Sequence, residues 1–244
     1  MAAGMAAGAV NAIAGSGSLI TFPTLLAVGY PAVTANVSNN IGLVPGSISG
    51  AHAYRAELTG QGQRVRRIAV GSGLGSVTGA ALLLTLPSDV FDAVVPLLVI
   101  GAALLMAFQP RVTAWVTARR VARDHAGDGE LVPAIACFFA GIYGGYFGAA
   151  QGIILLAVLG TLLPDELART NAAKNVLALT VNAVAAAIFL FSGHVAWLVV
   201  ALIAAGSVVG ARIGATIGRR VPAPVLRGFI VVLGLTVGVK LLLS

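Results

Sequence analysis

Residues 1–54 contain no Asp, Glu, Lys or Arg, and neither do 68–88, 93–110, 131–164, 175–211 or 228–239. Tracts of that length without charge suit a hydrocarbon layer of about 30 Å and little else, so the chain is expected to cross a membrane repeatedly. The composition agrees: 58% of the 244 residues are hydrophobic and 9% charged, with a mean hydropathy of +0.98, outside the balance of a water-soluble domain. The start MAAGMAAGAV has no basic stretch ahead of its apolar residues, and no cleaved signal is expected.

The net charge of +7 does not indicate nucleic acid, because the arginines lie between apolar tracts rather than along one soluble face. Cys137 is the only cysteine, which excludes an internal disulfide and a cysteine-based metal site; a small buried apolar role is expected for it. No HExxH, GxSxG, GxxxxGK[ST] or paired carboxylates occur, so neither an enzyme nor a metal or other cofactor is expected.

Polar punctuation divides the chain into apolar segments near 4–29, 32–54, 68–87, 90–109, 131–163, 166–191, 195–217 and 223–243. The one long polar connection is 110–130, PRVTAWVTARRVARDHAGDGE. Val112, Trp115 and Val116 have helical spacing there, which fits an interfacial helix as well as a solvated loop. Around it the halves resemble each other. At an offset of 133, Gly8 falls on Gly141, Gly15 on Gly148, Pro31 on Pro164 and Ala35 on Ala168; at 131, GSVTGA (75–80) falls on GSVVGA (206–211). A duplication of about four segments predicts two repeats, 1–109 and 131–244, joined by the 110–130 linker.

Charge placement favours one topology. If all eight segments crossed, the basic residues would divide nine to five between the two sides, with Lys174 counted on neither. If the first segment of each repeat enters and leaves on one side, all thirteen arginines share a face and Lys240 alone reaches the other. The positive-inside rule makes that face cytoplasmic. The expected fold is therefore an all-α polytopic membrane protein of two inverted repeats, each a re-entrant or broken helical hairpin plus three transmembrane helices. The hairpin turns would lie at Gly15-Ser16-Gly17-Ser18 and Gly148-Ala149-Ala150-Gln151-Gly152, about half the bilayer deep. Irregular backbone at that depth needs protein or a water-filled cavity around it. The competing reading is that these glycines merely allow close helix packing, the role expected for GSVTGA and GSVVGA.

Polar groups inside the apolar tracts are the candidate site. Asn11, Ser16, Gly17, Ser18, Asn36, Ser38, Asn39 and Asn40 come from the first half; Gln151, Gly152, Asn171, Lys174, Asn175 and Asn182 come from the second. Hydrogen-bond donors, half-helix N-termini after Ser18 and Gln151, and one cation suit a small oxyanion. Lys174 either balances that charge or snorkels towards the headgroups, and the asparagines either bind solute or tie helices together. His52 and His194 are expected at the interfaces. Tyr143 and Tyr146 either line a cavity or pack. Glu57, Asp89, Asp92, Asp165 and Glu166 all fall at span ends, which argues against a buried carboxylate proton relay.

The first hairpin followed by LLAVGYPAVTANVSNNIGLVPGSISGAHAYR, the second-half opening GIYGGYFGAAQGIILL and the late GARIGATIGRRVP together resemble the TauE/SafE family of bacterial permeases, the sulfite exporters. The resemblance covers nearly the whole chain. It implies a multi-pass carrier of the bacterial inner membrane for sulfite, sulfonates such as sulfoacetate, or related organosulfur anions, with the lipid bilayer as its surroundings and a homodimer compatible with it. Asn11 opposite Gly144, and Ser18 opposite Gln151, depart from the family's glycine-rich openings where the anion should sit. A permease for another anion or an uncharged sulfur compound is the alternative, as is a membrane scaffold that transports nothing; a scaffold has no reason to keep paired breaks.

Overall fold

The computed structural model describes residues 1–14, 16–121, 130–217 and 223–243. Gly15, residues 122–129 of the charged connection, and Arg219 and Arg220 lie outside the described residues. Among the described residues the chain is all-helical: α1 (Ala2–Ala14), α2 (Ser18–Ala27), α3 (Ala32–Ala53), α4 (Gly62–Thr85), α5 (Ser88–Val121), α6 (Leu131–Tyr146), α7 (Gln151–Leu162), α8 (Leu167–Phe189), α9 (Trp197–Ile217) and α10 (Ala223–Leu243), with a 3₁₀ turn at Ala56–Leu58 before α4. Among the described residues, three helices are long and apolar enough to cross a membrane by length and composition: Gly62–Thr85, Ser88–Ala118 and Leu167–Phe189.

Two expected segments are each divided into a pair of short helices. With 13 residues in α1 and 10 in α2, each arm is about 15–20 Å long at 1.5 Å per residue, and neither spans a bilayer alone. The second break is made by left-handed backbone at Gly148 (φ +76°) and Ala150 (φ +59°). Glycine adopts that conformation without a steric penalty; alanine costs about 1 kcal/mol or more there. Aromatic rings hold the break: Phe147 meets Phe22 edge-on at 5.1 Å between centroids, and Phe91 meets Tyr146 at 5.4 Å. The Tyr143 hydroxyl donates to the Ala149 carbonyl across the turn. Tyr143 and Tyr146 therefore pack and pin the break.

Both ends of the α6–α7 hairpin lie at the start of α4. Arg67 pairs with Glu130, one residue before α6, at 3.0 Å, and Arg64 pairs with Asp165, just beyond α7. These arginines are three residues apart, less than one turn along the helix. The hairpin thus enters and returns at one end of the bundle. Arg169 reinforces that end, lying 3.7 Å from Asp165 and donating to the Thr59 carbonyl at 3.0 Å.

Helix contacts run in matched pairs. Helix α1 lies along α9 as α6 lies along α4; α2 touches α10 as α7 touches α5; α3 packs on α8, and α5 on α10. The approaches are too close for side chains. A Cβ on Gly8 would overlap the Ser207 carbonyl, and one on Gly141 the Ser72 carbonyl; on Gly210 it would strike Met5, and on Gly75, Phe138. These matches set a register different from the one that identical residues suggest. The starts of α2 and α7 lie 133 residues apart, whereas Ala32 to Leu167, Gly62 to Trp197 and Ser88 to Ala223 are each 135. Two extra residues before α8 account for the change. GSGLG (71–75) therefore stands opposite GSVVG (206–210), one turn from the 131 offset, and Pro31 is not opposite Pro164.

Helix α5 also departs from expectation. It continues through Pro110 to Val121 as one 34-residue helix, so the first part of the 110–130 connection extends α5 instead of forming a separate surface helix or loop. Cys137 is buried in the cluster with Val65, Ile68, Leu155 and Leu177, and His52 and His194 are exposed.

Candidate functional site

On α3, Asn36, Asn40 and Ser47 stand at i, i+4 and i+11; on α8, Asn171, Asn175 and Asn182 repeat that spacing. At about 100° per residue each set occupies an arc of about 40°, one polar stripe per helix. The stripes meet where α3 packs on α8. The Asn40 amide donates to Asn182 Oδ1 at 3.5 Å, Asn182 Nδ2 donates to Ser47 Oγ at 3.5 Å, and Ser47 donates to the Leu43 carbonyl at 3.0 Å.

Both hairpins reach this pair of helices. Asn11, near the end of α1, donates to Ser47 Oγ at 3.2 Å, while Asn36 donates to the carbonyl of Tyr146, the last residue of α6, at 2.9 Å. The Thr21 hydroxyl of α2 donates to Asn39 Oδ1. The two breaks and the α3–α8 crossing thus form one polar region inside an apolar bundle. Asn182→Ala should cost about 1–2 kcal/mol, because two hydrogen bonds are lost. Combined with Ser47→Ala it should fall short of additivity by about 0.5 kcal/mol or more, measured by unfolding in detergent, since both residues belong to one chain of bonds.

The expected site residues separate into two groups. Asn36, Ser38 and Asn39 are committed to protein: Ser38 Oγ accepts the Ala196 N–H ahead of α9 at 2.9 Å, and the other two hold the Tyr146 carbonyl and Thr21. Gly17 is buried where a Cβ would overlap the Ala7 carbonyl, so it closes the first hairpin. Ser16 and Gly152 are buried in the breaks, Ser18 is half-buried, and Asn171 is half-buried on the α8 stripe.

Asn40, Gln151, Lys174 and Asn175 retain capacity. Asn40 Oδ1, Gln151 Nε2 and Asn175 Nδ2 are buried with no hydrogen-bond partner. Lys174 is 1% exposed, and among the described residues no hydrogen bond or ion pair holds its ammonium. Such burial rules out snorkelling, which would leave the ammonium in water. Unpaired buried amides cost about 1–3 kcal/mol each, and an unpaired buried cation costs more. Oxygen atoms satisfy amide donors such as these, and negative charge balances an ammonium.

One expectation about the helix starts is corrected. The N–H groups of Leu19 and Ile20 are taken by the Ser16 and Gly17 carbonyls, and those of Gln151 and Ile153 by Gly148 and Ala150. Tight turns entering α2 and α7 thus consume leading donors that a solute would otherwise use. The departures at the hairpins also acquire a cause. A Cβ on Gly144 would run into the Gln151 side chain, so the second hairpin brings its amide from its second arm, where the first hairpin brings Asn11 from its first. Ser47, Asn182 and Thr21 complete the network. The signal of Ser47 and Asn182 in the sequence was the shared 4-and-11 spacing; Thr21, on α2, had none.

Short helices broken within an apolar bundle, with buried amides around the breaks and a buried lysine on α8, are features of a membrane transport protein. The family model described as sulfite exporter TauE/SafE matches residues 1–241, and the chain belongs to that family. It is 28% identical over 238 residues to a probable membrane transporter protein of Haemophilus influenzae, covering 98% of this chain and 91% of that one. It is 29% identical over 239 residues to the probable membrane transporter protein YfcA of Escherichia coli K12, covering 98% and 86%. A probable membrane transporter protein, ORF9, of a Sinorhizobium species is 29% identical over 236 residues, covering 97% and 88%. No solved structure matches the chain.

Proposed function

We propose that the protein is a secondary carrier of the bacterial inner membrane that exports small sulfur oxyanions, sulfite and sulfonates, by alternating access to a midplane site. Lys174 carries this reading: a buried ammonium without a counter-ion among the described residues, on a helix whose next residue, Asn175, offers an unpaired amide donor. Gln151 supplies the second free donor from the start of α7.

The fold is read as two inverted repeats, α1–α5 and α6–α10, each a re-entrant hairpin followed by three crossings. Support comes from the matched helix contacts and from the return of α6–α7 to its starting end. The arginine-rich end is cytoplasmic in this reading. An inside-negative potential of 100 mV then favours anion exit by about 2.3 kcal/mol per charge, so export needs no coupling ion.

Sulfite efflux from liposomes holding the purified protein, with an imposed potential and with or without a pH gradient, is the test. Saturable efflux that follows potential alone is expected. Equal leak from protein-free liposomes would remove sulfite as substrate.

A further inference from the structure

The positive charge available at the site is smaller than a list of its donors suggests. Helices α3, α6 and α7 carry no Asp, Glu, Lys or Arg at all. At the start of α8, Asp165 pairs with both Arg64 and Arg169, and Arg67 pairs with Glu130. Glu57, in the 3₁₀ turn that packs on α8, brings negative charge with a buried oxygen. The helix N-termini are partly spent on their own breaks, as the Leu19, Ile20, Gln151 and Ile153 N–H groups show. Among the described residues of α8 and the helices packed on it, what remains is one ammonium, on Lys174, with neutral amides on Gln151 and Asn175; Arg227, whose Nε is also buried without a partner, lies on α10, which packs on α5 and α2.

Neutral donors solvate oxygen atoms but do not cancel a charge. In a region of low dielectric, one cation compensates one negative charge, and a second is left with neither counter-ion nor water. We infer that Lys174 makes the site select by charge: it accepts monoanions with a three-oxygen sulfur head, such as hydrogensulfite or a simple alkanesulfonate, and rejects dianions. Sulfate, doubly deprotonated sulfite and sulfonates that also bear a carboxylate fall in the rejected class. This selection rests on the transport reading above and narrows it.

Two amides and an ammonium supply three donor groups for the three oxygens of such a head. Asn40 Oδ1, an amide acceptor on α3 left unpaired among the described residues, can take the S–OH proton of one tautomer of hydrogensulfite. An alkanesulfonate has no proton to offer there. The acceptor thus distinguishes two members of the accepted class without altering their charge.

The experiment is a charge series in proteoliposomes with three probes: sulfite, methanesulfonate and sulfate. Hydrogensulfite loses its proton near neutrality, whereas methanesulfonate is a monoanion throughout and reports any titration of the protein itself. From mildly acidic to mildly alkaline pH, sulfite flux relative to methanesulfonate flux should fall with the hydrogensulfite fraction. Sulfate should compete at least ~100-fold more weakly than methanesulfonate, the scale of leaving a buried charge uncompensated. In Lys174→Gln, methanesulfonate flux should drop to the sulfate level, removing the preference.

Sulfate competing on a par with methanesulfonate, or sulfite flux that holds steady as its proton is lost, would overturn the charge selection and leave the transport reading intact. Absence of flux for all three probes would overturn both. The wild-type series decides the matter even where the Lys174 variant fails to fold.

Discussion

Gly210→Leu and Gly75→Leu should each abolish recovery of a folded protein, read as loss of the monodisperse peak after detergent extraction and of a cooperative thermal transition. A Cβ at Gly210 would overlap Met5, and one at Gly75 would overlap Phe138; in both cases the obstruction is a backbone carbonyl on the partner helix. A side-chain neighbour could rotate away, but a carbonyl in a helix moves only with its helix. Separating α1 from α9, or α6 from α4, also withdraws the hairpin that each pair carries. Overpacking alone costs about 1–3 kcal/mol. Parting a whole helix contact costs more, against a total stability of about 5–15 kcal/mol. Gly101→Ala provides the contrast. It lies on α5 with nothing near its Cβ position, and alanine should gain about 0.5–1 kcal/mol there from helix propensity. Equal tolerance of all three substitutions would mean that α1–α9 and α4–α6 are not packed through these glycines.

Those glycines also show what the sequence made legible and what it did not. Membrane residence followed from the charge-free tracts, because the hydrocarbon layer penalises charge whatever the fold. The two breaks could be placed because local backbone chemistry determines them: Gly148 sits in left-handed backbone, and Gly17 lies where no Cβ fits. The repeat was visible but its register was not. A close helix contact needs a small residue every fourth position, and Gly71, Gly75 and Gly79 satisfy that in more than one alignment. Identical letters selected GSVTGA with GSVVGA; packing selects the alignment one turn away.

The same two-residue change hid the polar stripe. In the 135 register Asn36, Asn40 and Ser47 fall opposite Asn171, Asn175 and Asn182, and Asn39 falls opposite Lys174. At 133 these matches vanish. Even in the right register, the division of labour within the stripe is a tertiary matter. Asn39 is engaged by Thr21 from another helix, and Ser38 by the Ala196 N–H. Nothing in the string NVSNN distinguishes those two from Asn40. The length of α5 beyond Pro110 was hidden for another reason: the arginines that follow read as a solvated connection, yet a helix can extend beyond the apolar layer with its charged face in water.

Lys174→Met should raise stability while removing transport. Methionine is close to lysine in length and shape and carries no charge, and among the described residues the ammonium makes no hydrogen bond or ion pair that the change would break. Burying a cation without a partner costs several kcal/mol even after relaxation, so the variant should unfold at a higher temperature. Asn175 and Gln151 keep their amides, but an anion entering the site would meet no positive charge. Removing one member of a buried charge pair costs about 2–5 kcal/mol, or ~30-fold and more in affinity, and flux at low substrate should fall accordingly. The two readouts move in opposite directions only if Lys174 is held buried for its solute. A structural lysine would lose stability together with transport, and a lysine irrelevant to the solute would leave transport intact. Measuring the melting temperature and methanesulfonate flux on one preparation separates these cases, because misfolded protein cannot reproduce a gain in stability.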